Sequence, residues 1–109
     1  MPAKISATPY RDELLRSLKN ADEAAQYLTA SLRDQDPRVF LMALRDVADA
    51  HGGMSTLSRD AHLNRESLYR MLSSSGNPSL ESLTAVLRAV GLRLSIESQK
   101  TRRRPRRAA

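Results

Sequence analysis

Residues 54–72 read MSTLSRDAHLNRESLYRML, and this stretch decides the fold. Its apolar positions are Leu57, Leu63, Leu68, Met71 and Leu72. That spacing gives two short helices across a tight turn, with Leu57 facing Leu68 and Leu63 plugging the corner. Ser55 is read as the cap of the first helix, which ends near Ala61, and Asn64 as the cap of the second, which ends near Leu72. Asn64, Arg65, Glu66, Ser67, Tyr69 and Arg70 are then left outside. All can hydrogen-bond to base edges or phosphates, Ser67 as the shortest, and arginine can grip guanine through two bonds. Base contacts concentrate in the N-terminal part of such a helix. Ser55 and Thr56 can offer hydroxyl and amide donors to a phosphate.

Outward from this hairpin the chain reads as further helices. Leu14, Leu15 and Leu18 give an amphipathic segment over 11–18. Asn20 with Glu23 forms a capping-box pattern, and Ala24, Tyr27, Leu28 and Leu32 share a face, with Tyr27 read as core. Asp36-Pro37 starts the next helix, whose face carries Phe40, Leu41, Leu44, Val47 and Ala48. His51-Gly52-Gly53 ends it. Residues 74–78, SSGNP, form a loop, and Ser79 caps a last helix that stops at Gly91. Leu92, Leu94 and Ile96 then alternate with Arg93, Ser95 and Glu97, which predicts a short strand over 92–97. A lone strand cannot satisfy its own amides, so it should pair with its copy in a second subunit.

Composition narrows the classes. The 109 residues suffice for one domain, and 40% apolar with only 4% aromatic residues favours packed helices over a sandwich or barrel. There is no cysteine and only two histidines, so no disulfide and no metal site is expected. His51 and His62 read as helix-end and turn residues. No serine lies in a nucleophile elbow and no phosphate loop is present, so neither an enzyme nor a cofactor is expected. With no apolar run of membrane-spanning length and no signal peptide, a bacterial cytoplasmic protein is the expectation. The net charge of +6 sits wholly in residues 100–107, which hold six of the 18 basic residues and no acid. The remaining 12 basic residues balance the 12 acids.

The hairpin resembles the helix-turn-helix of the Cro and lambda-repressor superfamily. The longer stretch DPRVFLMALRDVADAHGGMSTLSRDAHLNRESLYRMLSSSGNPSLESLTAVLRAVGLRLSIE, residues 36–97, resembles the small antidote proteins of bacterial toxin–antitoxin addiction modules. Leu68-Tyr69-Arg70, the Gly76-Asn77-Pro78-Ser79 loop and Gly91-Leu92-Arg93-Leu94 carry that likeness, which extends over about residues 10–97. Two positions depart from the superfamily pattern: His62 stands where the turn usually has glycine, and Ser58 replaces a small alanine.

The resemblance implies base or groove contacts from Asn64, Arg65, Glu66, Ser67, Tyr69 and Arg70. It implies phosphate contacts from Ser55, Thr56, Ser73 and Asn77. The expected architecture is all-α, a lambda-repressor-like helix-turn-helix domain of about five helices with one C-terminal strand. Residues 1–9 are a flexible lead, 10–97 the domain with its helix-turn-helix at 55–73, and 98–109 a disordered arginine-rich tail. Leu92, Leu94 and Ile96 would form the dimer interface. The expected partners are a palindromic double-stranded DNA operator, a second copy of the chain and a small toxin, with no membrane. The expected function is repression of its own operon and neutralisation of the toxin. Two alternatives stand beside it: a stand-alone or prophage-derived regulator without a toxin, and a nucleic-acid or interaction protein driven by the arginine tail.

Overall fold

The computed structural model describes the backbone of residues 3–99 and the side chains of residues 9–99. Six helices, and no strand, occur among the described residues: α1 (Ala3–Leu18), α2 (Ala21–Ser31), α3 (Pro37–Ala50), α4 (Gly53–Ala61), α5 (Arg65–Met71) and α6 (Leu80–Ala89). The all-α class read from the composition is the observed one. None of the described helices is long and apolar enough to cross a membrane.

Capping residues fix most of the helix starts. Asn20 Oδ1 accepts from the Glu23 amide at 3.0 Å, and Asp36 Oδ1 accepts from the Arg38 amide at 3.0 Å. Each bond satisfies one of the amides that a helix leaves unpaired in its first turn. Pro37 stands at the start of α3, where its missing N–H costs nothing. The Asp36 carboxyl is held down at about 2, chiefly by the Arg38 side chain and then by the Arg38 amide.

α3 is the organising helix. It buries Leu41, Ala43, Leu44, Val47, Ala48 and Ala50. α1, α2 and α4 pack on it, and α4 in turn carries α5 and α6. The largest fully buried side chains are Leu18, Leu44, Val47, Leu68 and Val86, from α1, α3, α5 and α6, so one core serves the whole bundle. Truncating any of these leucines to alanine should cost about 2–5 kcal/mol. At the outer edge of the core, Arg11 bonds Asp46 at 3.0 Å and Asp49 at 2.8 Å. The Tyr27 hydroxyl donates to the other Asp46 oxygen at 2.6 Å. One carboxylate thus ties α1, α2 and α3 together. Burial, and then the bond to Asp46, pushes the Tyr27 phenol up to about 12.

Four elements differ from the sequence reading. α1 begins at Ala3, so it takes in most of the stretch read as a lead. Leu32 is 60% exposed, because α2 ends at Ser31 and Leu32 is its cap. Ser55 does not cap α4. The chain turns through Gly52 and Gly53 at φ +103° and +86° and enters α4 directly, with Gly52 as cap and Ser55 inside the first turn. Only glycine takes such angles without strain. Residues 92–97 form no strand. Gly91, at φ +84°, stops α6 by placing the Leu92 amide on the Leu87 carbonyl oxygen at 2.8 Å. Among the described residues no neighbouring segment offers a ladder partner, and backbone bonds in a strand come only from such a partner. The arginine-rich tail lies, from residue 100 on, outside the described residues.

Candidate nucleic-acid interface

The turn between α4 and α5 sets the geometry of the exposed surface. His62 adopts φ +58° and ψ +44°, a left-handed stop for α4. Its amide donates to the Arg59 carbonyl at 3.3 Å, and the Leu63 amide reaches back to the Ser58 carbonyl at 3.0 Å. Those bonds satisfy carbonyls that the end of a helix would otherwise leave open. Leu63 is half-buried against the core, while Leu57 and Leu68 are 2% and 0% exposed. The corner is plugged as the apolar spacing indicates.

Because Leu68 and Met71 point inward, the rest of α5 faces out. Arg65, Glu66, Ser67, Tyr69 and Arg70 are all exposed, as is Asn64 at its cap. Asn64 spends its oxygen on the Ser67 amide at 3.1 Å, and its NH2 group has no partner among the described residues. Among the described residues, the ion pairs join Arg11 to Asp46 and Asp49, Arg38 to Asp36, and Arg59 to Asp60. Arg65 and Arg70 belong to none of them. The face is therefore a row of polar side chains with two uncompensated guanidinium groups.

The residues expected to meet phosphate are less uniform. Ser55 is exposed in the first turn of α4, beside amides that a helix leaves unpaired. Thr56 is half-buried, and its side chain covers Gly52 so closely that a Cβ there would sit 2.8 Å from its Oγ1. Asn77 is exposed in the loop after α5. Ser73 differs: its hydroxyl donates to the Arg70 carbonyl at 2.8 Å, so its proton already has an acceptor inside the protein. That loop lies against the end of α5, because Gly76 lacks a side chain; a Cβ would fall 2.0 Å from the Met71 carbonyl oxygen.

Two features escaped the sequence reading. The Tyr69 ring has the Arg65 guanidinium at 6.0 Å and that of Arg45, from α3, at 5.3 Å from its centre. Arg65 lies four residues before Tyr69, a spacing that announces itself in a helix. Nothing local to Arg45 signals a contact across helices. The second is the Ser58 hydroxyl, which bonds across the turn to the Leu63 carbonyl at 2.7 Å.

At the far end, Leu92 packs half-buried against the core, whereas Leu94 and Ile96 are 44% and 94% exposed. Leu28, Leu32, Phe40, Leu87, Leu92 and Leu94 line an apolar groove between α2 and this segment.

A family model described as "Probable addiction module antidote protein" matches residues 11–98. The chain belongs to this antidote family. An uncharacterised protein of Haemophilus influenzae is 32% identical over 88 residues, which cover 81% of this chain and 90% of that one. No solved structure matches. The match to the antidote family takes in the whole α4–α5 hairpin and the exposed segment after α6. It begins at Arg11, the residue that ties α1 to α3.

Proposed function

We propose that this antidote-family protein is the DNA-binding antitoxin of a type II toxin–antitoxin module. It acts as a homodimer, represses its own operon and neutralises a cognate toxin by binding it directly. The observation that carries the DNA-binding half is the outward face of α5: polar, exposed, and with Arg65 and Arg70 in no ion pair among the described residues. α5 would enter the major groove, with Asn64, Arg65, Glu66, Ser67, Tyr69 and Arg70 against base edges. Ser55, Thr56 and Asn77 would hold the flanking phosphates, with Ser73 contributing once its hydroxyl is released from Arg70.

Charge supports a paired rather than a solitary reader. Residues 55–79 contain three arginines and two acids, a surplus of one. Affinity from phosphate neutralisation rises with the number of contacts, so a second copy strengthens binding. The bare Leu94 and Ile96 supply a surface for that copy, and pairing of the 92–97 segments across a twofold axis would give them the ladder they lack in one chain. Two α5 helices would then lie roughly 34 Å apart on an imperfect palindrome. The toxin half of the reading rests on membership of the antidote family.

Gel-shift and footprinting on the DNA upstream of the gene test the first half. The wild type should protect a palindromic site, and Arg65→Ala with Arg70→Ala should abolish that protection. If it survives the double change and disappears on deletion of residues 100–109, α5 is not the reader. Co-purification with the product of the neighbouring gene tests the toxin half.

A further inference from the structure

Tyr69 is the meeting point of two helices and two cations. Arg65 reaches its ring from one turn earlier in α5, and Arg45 reaches it from α3. Tyr69 is 41% exposed and Arg45 is half-buried, so the cluster is open to a ligand on one side. No carboxylate lies within ion-pair distance of either guanidinium among the described residues. The neighbouring acid on α3, Asp46, already bonds Arg11 through one oxygen and Tyr27 through the other. Two like charges at one ring repel each other, and stacking on a π face leaves the N–H edge of a guanidinium unsatisfied. An anion that takes the fork of N–H donors would complete the pair, and a phosphate oxygen has the geometry for that fork.

We propose that Arg45 is a phosphate-binding residue of the DNA interface, brought from α3 to the edge of α5 by the Tyr69 ring. The inference rests on the reading of α5 as the groove helix. An α5 in the major groove would have the sugar-phosphate backbone along its flank, and Arg45 would meet it from the α3 side of Tyr69. Arg45 thus extends the contact surface beyond the helix-turn-helix.

The test uses the full-length protein and its upstream duplex, titrated at several salt concentrations. Arg45→Gln should weaken binding roughly tenfold on all sequences and flatten the salt slope by about one unit per bound subunit. Arg45→Lys, which keeps the charge, should restore the slope. If Arg45→Gln does not unfold cooperatively, Arg45→Met replaces it and preserves the packing of the stem. An unchanged slope in the Gln or Met variant, alongside lost specific binding in Arg65→Ala, overturns the role of Arg45 and leaves the DNA reading intact. A wild type with no preference for its upstream DNA removes the DNA reading, and the role of Arg45 with it.

Discussion

The hydroxyl of Ser58 donates to the Leu63 carbonyl oxygen at 2.7 Å, and the Leu63 amide donates to the Ser58 carbonyl oxygen at 3.0 Å. This reciprocal pair spans the turn that aims α5. From the sequence, Ser58 only needed to be small enough to stand where alanine is usual. Its hydroxyl does more, since it satisfies a carbonyl at a corner where the backbone is already left-handed. Ser58→Ala should lower stability by about 1 kcal/mol, the net worth of an ordinary hydrogen bond. Urea unfolding measures it. An unchanged midpoint would mean that water replaces the hydroxyl without loss.

His62 holds φ +58° without being glycine. Left-handed geometry costs a residue with a Cβ roughly 1–2 kcal/mol, and somewhat less for histidine than for branched residues. Part of that relief is offset by the extra freedom of an unfolded glycine. His62→Gly should therefore raise stability by about 0.5–1 kcal/mol, and His62→Val should lower it by more than about 1 kcal/mol. Equal melting temperatures for the two variants would show that the turn does not hold this conformation in solution.

At Gly76 a methyl group would lie 2.0 Å from the Met71 carbonyl oxygen. That neighbour is backbone and cannot rotate aside. Gly76→Ala must push the 73–79 loop away from the end of α5, at a cost of about 2 kcal/mol or more. It should also weaken DNA binding beyond what the stability loss explains, since Asn77 moves with the loop. A variant as stable as the wild type would contradict the close approach.

How much of this was legible depends on the range of the signal. Asn20, Asp36, Asn64 and Ser79 announce their helices because a cap acts within three residues. Leu57, Leu63 and Leu68 announce the hairpin because its packing is local. The start of α1 was hidden, since Pro9 falls inside a helix where proline normally reads as a boundary. Ser55 fits a cap by residue type, but Gly52 and Gly53 turn the chain before it. The 92–97 segment alternates as a strand should, yet alternation only says which faces differ. Whether a ladder forms is decided by a partner strand, and the described residues contain none. Arg45 was unreadable, as its contact joins residues 24 positions apart through the fold.

Tyr27 gives the bundle a pH-dependent seam. Its phenol rises from the usual value of 10.0 to about 12, through burial first and the bond to Asp46 second. A group whose folded-state pKa is raised contributes stability that is complete below its unfolded value. The contribution is lost as pH climbs through the folded value, so it should fade between about pH 10 and 12. Tyr27→Phe should be less stable at neutral pH by about 1 kcal/mol, the net value of the lost bond. Its stability should also fall less steeply across the alkaline interval. Parallel curves for the two proteins would place Tyr27 outside the Asp46 network in solution.

Among the described residues, Ile96 and Leu94 are the large apolar side chains left bare beyond α6, and they belong to the segment proposed to pair across the dimer axis. Leu92, two residues earlier, is already seated on the core, so a charge there would damage the monomer. Leu94 is the cleaner probe. Leu94→Lys places a positive charge on each side of the proposed axis, where burial and like-charge repulsion both oppose association. Sedimentation should shift the variant from dimer to monomer while its helical signal stays intact. Operator affinity should fall about a hundredfold, because two linked readers gain that much over one. A variant that remains dimeric moves the interface to another surface, and a wild type that sediments as a monomer removes the paired reading altogether.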